Sequence, residues 1–149
     1  ITKLPMDHIA VNDILDVMAV LICFRHNQDD FVNFVKVQLN IQQNKRIEAL
    51  EKLESLFNSN EIYIADMSRY QHSWLNFLHG ENDFAKLQLQ QIVNDTIFKE
   101  LAHIFQAEIL DYVDNNFSSA IDSYLNFLEL YPNSIYYDDI RLRLRELAS

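Results

Sequence analysis

The sequence predicts an all-α chain of helical hairpins stacked in series and closed by a capping helix at the C-terminus. Three observations predict it. The 149 residues hold one Gly and two Pro, 49% are hydrophobic, and apolar residues recur at a period of 35 to 36. A chain of this length can bury a core of its own. An all-β fold of the same size would need many tight turns, and tight turns draw on Gly. Helices joined by short polar loops need far less of it.

A repeat decides the architecture before any local detail does. Ala49, Ala85 and Ala120 are separated by 36 and 35 residues. Each opens an apolar stripe at offsets of four and seven: Leu53 and Leu56, Leu89 and Ile92, Tyr124 and Phe127. Those offsets bring the side chains of a set to one helix face. The segments ahead of them keep the spacing. Phe34, Tyr70, Phe105 and Ile140 form one column, and Ile41, Phe77, Tyr112 and Leu147 a second. Phe31, Met67, Ala102 and Tyr137 form a third. Gln38, Trp74, Ile109 and Leu144 form a fourth, apolar after its first member. Parallel columns with an all-alanine column are hard to obtain by chance.

The elements follow in order. An opening helix is expected over 12–26, its apolar face made by Ile14, Leu15, Met18, Leu21 and Ile22. It stands outside the repeat and is expected to cap the first unit. The first pair is expected at 30–43 and 45–58, the second at 65–79 and 83–95, the third at 97–113 and 117–130. Gly80-Glu81-Asn82-Asp83 and Asp114-Asn115-Asn116 are the turns within the later pairs, rich in residues that cap helices or tolerate left-handed backbone. Pro132 stops the third pair, because Pro cannot continue a helix. A closing helix over 134–148 turns Ile140, Leu144 and Leu147 inward and Arg141, Arg143 and Arg145 to water. The result is one domain over 1–149: an opening region 1–29, repeats over 30–64, 65–96 and 97–132, and a cap over 133–149.

Charge and composition exclude several classes of function. With 12 basic and 22 acidic side chains the formal charge is −10. Such a surface repels phosphate, which disfavours nucleic acid and anionic membranes, and fits a soluble protein or one that meets basic peptides. The longest apolar run, 17–24, is too short to span a bilayer, so membrane insertion is not expected. Cys23 sits inside that run and reads as a small buried hydrophobe. The chain opens at Ile1 rather than Met, and a piece of a longer or processed protein is expected.

Catalytic and cofactor chemistry lack their elements. His8, His26, His72, His79 and His103 show no His-Glu-x-x-His or Cys/His zinc spacing, and read as surface or groove residues. Asp29-Asp30 and Asp138-Asp139 fall near expected helix N-termini, where the dipole favours anions, and Glu81/Asp83 in a turn. No calcium loop of the helix-loop-helix type is present. One glycine, Gly80, cannot build a phosphate loop, and no nucleophile elbow exists. No enzyme, cofactor or metal is expected. The stripe Tyr70, Trp74, Phe77, echoed by Phe105, Ile109 and Tyr112, reads as core between neighbouring pairs.

The segment from Asn116 through Ser123-Tyr124 to Leu130-Tyr131-Pro132-Asn133-Ser134 places an aromatic, a small Ala, an aromatic and a closing Pro as the tetratricopeptide repeat family does. Over about 30–148 the chain resembles that family, and its ending resembles those of many bacterial members, a number of them associated with the cell envelope. It departs in its period, 35 to 36 against the family's 34, in Trp74 and Ile109 where the family's first helix has a small residue, and in the first unit's lack of a closing Pro. The resemblance implies a right-handed superhelix with a concave groove for a peptide or helix, and so a protein-binding scaffold.

If the aromatic columns are core, the neighbouring face of each first helix lines that groove. It comprises Val32, Val35, Leu39 and Gln42; then Ser68, Gln71, Leu75, Leu78 and His79; then His103, Gln106, Leu110 and Val113. Leu39, Leu75 and Leu110 form a column within it. The face holds no Lys or Arg, unlike family members that grip a C-terminal carboxylate. The alternative is a spacer or self-association module of a larger envelope protein; the resemblance points to the periplasm or outer membrane, with a cytoplasmic location and homo-oligomerisation left open.

Overall fold

A computed structural model of the chain describes Ile22 and residues 24–149. Most of the opening helix expected over 12–26, with Cys23, and His8 lie outside the described residues; Ile22 and Phe24 are helical, while Arg25 and His26, expected as its end, form a turn. The protein is all-α across the described residues: α1 (Gln28–Gln42), α2 (Arg46–Leu56), α3 (Ile62–Leu78), α4 (Asn82–Leu89), α5 (Ile97–Glu108), α6 (Phe117–Leu130) and α7 (Tyr137–Leu147). Each helix packs on the next, and α3 also meets α5. None is long and apolar enough to cross a membrane.

The spacing of the apolar columns recurs in the backbone. Three described residues have positive φ: Asn44 at 56°, Gly80 at 83° and Asn115 at 51°. They stand 36 and 35 residues apart, in the turns α1–α2, α3–α4 and α5–α6. A left-handed residue after a helix lets the chain reverse and satisfies a carbonyl that the helix end leaves free. Lys45 N–H reaches Asn40 O at 2.8 Å, and Glu81 N–H reaches Asn76 O at 3.0 Å. Nothing lies within 4 Å of where a Cβ on Gly80 would stand, so Gly supplies backbone freedom there and not space.

The alanine column is fully buried, with Ala49, Ala85 and Ala120 all at 0% exposure. The residues four and seven positions later in each stripe are buried too. Ala49 and Leu53 pack with Val37 of α1 and Leu75 of α3, and Ala120 packs with Ala107 of α5. A small residue lets the paired helices approach. Between α3 and α5 the aromatic columns interlock: Phe105 meets Tyr70, Trp74 and Phe77 with centroids 5.9, 5.5 and 5.2 Å apart. Tyr63 stands edge-on to Phe98 at 5.0 Å. These rings join one pair to the next, the contact a stacked repeat requires.

Three elements differ from expectation. Helix α4 ends at Leu89 and not near 95. Asp66 in α3 is wholly buried, and its carboxylate accepts from Asn94 Nδ2 at 2.9 Å and Thr96 Oγ1 at 2.8 Å. A buried carboxylate must be hydrogen-bonded, and these two donors hold the α4–α5 segment in a non-helical path. The helix expected over 97–113 turns π-helical at Ile109–Val113, where Asp114 N–H bonds Ile109 O. The closing bond of that turn runs from Asn116 N–H to Leu110 O, one residue longer than in the other two pairs. Arg143, expected in water, instead turns onto Asp111 and Tyr112 of this π turn.

Candidate functional site

The thirteen groove residues do not form one open strip. Val32, Val35, Leu39 and Gln42 are exposed on α1. In α3, Ser68 is buried and donates to Ile64 O at 2.8 Å. Leu75 is buried against α2. Gln71 is half-buried and accepts from Gln38 at 3.2 Å, while Leu78 and His79 are exposed at the helix end. In α5, His103 donates from Nε2 to Ser123 O at 3.1 Å and stands edge-on to Phe127 and Tyr131 of the α6 side. Gln106 Nε2 donates one turn back along its own helix to Ala102 O at 3.3 Å, and Leu110 and Val113 are half-buried. The column of Leu39, Leu75 and Leu110 therefore changes surroundings at each step. Among the described helices α3 packs against α2, α4 and α5 while α1 packs against α2, so equivalent positions on the two do not share surroundings.

Histidine placement departs from expectation in the same way. His72 is 1% exposed. Its Nε2 donates to Glu54 at 3.2 Å, and Nδ1 accepts from Asn76 Nδ2 at 3.2 Å. Arg46 in turn donates to Asn76 Oδ1 at 2.8 Å. This arrangement satisfies a neutral imidazole. Burial holds the His72 pKa below its ordinary value despite the nearby carboxylate, so the contact with Glu54 is a hydrogen bond rather than an ion pair. His103 is also lowered by burial. Among the described residues no group of three or more His, Cys, Asp or Glu could hold a metal.

A further buried polar cluster lies where the π turn that follows α5 meets α6 and α7. A π turn carries an extra residue per turn and is found at functional sites more often than its rarity suggests. Here it presents Asp111, whose side chain is wholly buried. The carboxylate accepts from Arg143 Nε at 2.7 Å, Arg143 Nη2 at 2.8 Å and Tyr124 Oη at 3.1 Å. This two-point grip suits the planar guanidinium and holds Arg143 more firmly protonated. Arg143 Nη1 also donates to Glu146 at 3.0 Å, and the guanidinium lies 4.7 Å from the centroid of the Tyr112 ring. Burial, seconded by Asp111, pushes the Tyr124 hydroxyl up, so it stays a proton donor.

Beside this pair lies a cavity of about 190 Å³. Leu101, Ile104, Phe105 and Ile140 supply its apolar lining, and Tyr70, Tyr112, Tyr124 and Tyr136 its aromatic one. Glu108, Asp139 and Arg143 complete it. Cavities of about 150 Å³ already admit a benzene-sized group. Burial and repulsion from Asp111 raise the Glu108 pKa to about 7. A carboxyl group shifted so far, in a concave aromatic site, is a recognised mark of a binding or reactive centre. A larger depression, of about 510 Å³, lies between the start of α1 and the α2–α3 loop, but only polar residues line it.

Apolar periodicity could not reveal this cavity. One signal was present: Asn40, Asn76 and Asp111 repeat at 36 and 35 residues as a polar column among the apolar ones. Asn76 and Asp111 are both buried and networked. Comparison with protein-family models, with curated proteins and with solved structures finds no match to this chain.

Proposed function

We propose that the chain is a protein-binding module of tetratricopeptide type, a superhelical stack of helix pairs that holds a segment of a partner and performs no chemistry on it. The observation that carries the reading is the cavity among α3, α5, α6 and α7. It is concave, largely aromatic and set on packed helices rather than loops. A preformed site lowers the ordering cost of docking. The recurring turns at Asn44, Gly80 and Asn115 support the repeat, and the net charge of −10 favours a basic partner segment.

Selection of peptides from a random displayed library against the whole chain tests it. The selected peptides should lose tenfold or more in affinity for Leu101→Trp, which fills the cavity, provided that variant keeps the wild-type circular dichroism and melting temperature. Equal binding to both forms, or no selected peptide at all, argues against it.

Self-association is a second reading, favoured by one observation. Val32, Val35 and Leu39 of α1 are 47%, 39% and 48% exposed and share a helix face. A dimer by sedimentation that Leu39→Asp dissolves would support it; a monomer at millimolar concentration would not.

A further inference from the structure

We infer that the cavity receives one phenol ring, the tyrosine side chain of a partner segment, whose hydroxyl pairs with Glu108. The inference rests on the reading of the chain as a partner-binding module and names the side chain that the module takes.

Size sets the first limit. A cavity of about 150 Å³ admits a benzene-sized group. This one, at about 190 Å³, takes a six-membered ring with its methylene and hydroxyl, and not a stretch of backbone. The docking segment therefore stays outside and sends in a single side chain.

The charges around the space favour an uncharged ligand. Arg143 is held by Asp111 and Glu146, and its guanidinium covers the Tyr112 ring. Asp111 is matched by Arg143 and Tyr124. Asp139, Tyr70 and Tyr136 have interactions of their own. A cation would enter beside Arg143, and an anion beside Glu108 and Asp139. Either would also forfeit its hydration in a largely apolar site.

The rings of the lining favour an aromatic body. Tyr70 and Phe105 line the cavity, and both belong to the cluster that joins α3 to α5, where Phe105 meets Tyr70, Trp74 and Phe77. Aromatic pairs gain from edge-to-face and offset contact beyond the area they bury. A ring that enters beside Phe105 extends that cluster, which an aliphatic side chain cannot do.

Glu108 selects the hydroxyl. Its carboxyl lines the cavity and forms no hydrogen bond or ion pair with the described residues. Covering it with hydrocarbon would strand a polar group away from water. Burial holds it near the balance of its two forms at neutrality, with a pKa of about 7. A phenol hydroxyl serves both, since it donates to the carboxylate and can donate to or accept from the protonated acid.

The test is an NMR titration of the whole chain with the capped tripeptide Ala-Tyr-Ala and its Phe, Leu and Lys analogues. The tyrosine peptide should shift amides of the π turn and α7 and bind about fivefold tighter than the phenylalanine one, with leucine and lysine weaker still. Glu108→Met removes the carboxyl at similar length, and there the tyrosine and phenylalanine peptides should bind alike. Glu108→Gln, which keeps a hydrogen-bonding group, should retain the tyrosine preference. Equal or tighter binding of the Phe, Leu or Lys peptide, an unchanged preference in Glu108→Met, or no shift at the cavity would overturn the inference. p-Cresol that binds as tightly as the peptide would overturn a partner side chain as the ligand. If library peptides without tyrosine occupy the cavity, this inference falls and the binding-module reading stands. If no peptide reaches the cavity, both fall.

Discussion

Arg143 of the last helix grips Asp111 of the π turn through two hydrogen bonds, at 2.7 and 2.8 Å, and the carboxylate it holds has no solvent exposure. The bond spans 32 residues of sequence and ties α7 to the third helix pair. It also fixes one wall of the cavity, since Arg143 and Tyr112 both line it.

Removing one partner should therefore cost far more than removing both. Arg143→Met leaves a buried carboxylate unmatched, and a loss of about 3–5 kcal/mol is expected. Asp111→Leu with Arg143→Met should recover most of it. Arg143→Lys should not rescue, because a point charge cannot make the two-point contact. Urea denaturation of the four proteins measures each difference.

Glu108 should give stability the opposite pH dependence from an ordinary carboxylate. Its folded pKa, about 7, lies above the ordinary value of 4.5, so the folded state binds more protons between the two. Its contribution is most favourable at low pH and is lost as pH rises through 7. Glu108→Gln should gain on the order of 2 kcal/mol over wild type at pH 8 and close to nothing at pH 4. Denaturation midpoints across that range decide it.

His72 should act in the other direction. Its folded pKa is depressed by burial, so the unfolded chain takes up a proton that the folded chain refuses. Stability is intact above the ordinary value of 6.5 and falls as pH drops below it. His72→Gln should flatten the decline that begins there, measured by thermal melts. An unchanged slope would mean that the buried imidazole is not kept neutral.

The left-handed turn at Gly80 should accept what its counterparts already contain. Gly80→Asn should cost a few tenths of a kcal/mol, since Asn44 and Asn115 hold the same conformation. Gly80→Val should cost about 1–2 kcal/mol from backbone strain alone, because the space beside it is open. Equal losses for the two would contradict the assignment.

The second helices were legible because Ala49, Ala85 and Ala120 with their stripes answer to a single requirement, burial of one face at a fixed period. The aromatic columns were legible for the same reason, and Phe105 among Tyr70, Trp74 and Phe77 is the result. The groove was less so. Leu39 and Leu75 occupy equivalent positions, yet one is exposed and the other packs on α2, because spacing does not encode which other helices a given helix meets. The end of α4 depends on Asp66 reaching Asn94 and Thr96, a contact across 28 to 30 residues that no local pattern encodes. The cavity rests on Asp111 and Arg143, and a search for apolar columns passes over the polar one to which Asp111 belongs.

Carbon-detected NMR titration of the Glu108 carboxyl in the whole chain tests most directly the enclosed cavity on which the proposed function rests. The predicted result is a midpoint at about 7, raised by burial in the cavity. A midpoint in the ordinary carboxylate range would mean that the carboxyl is open to water and would contradict a preformed concave site.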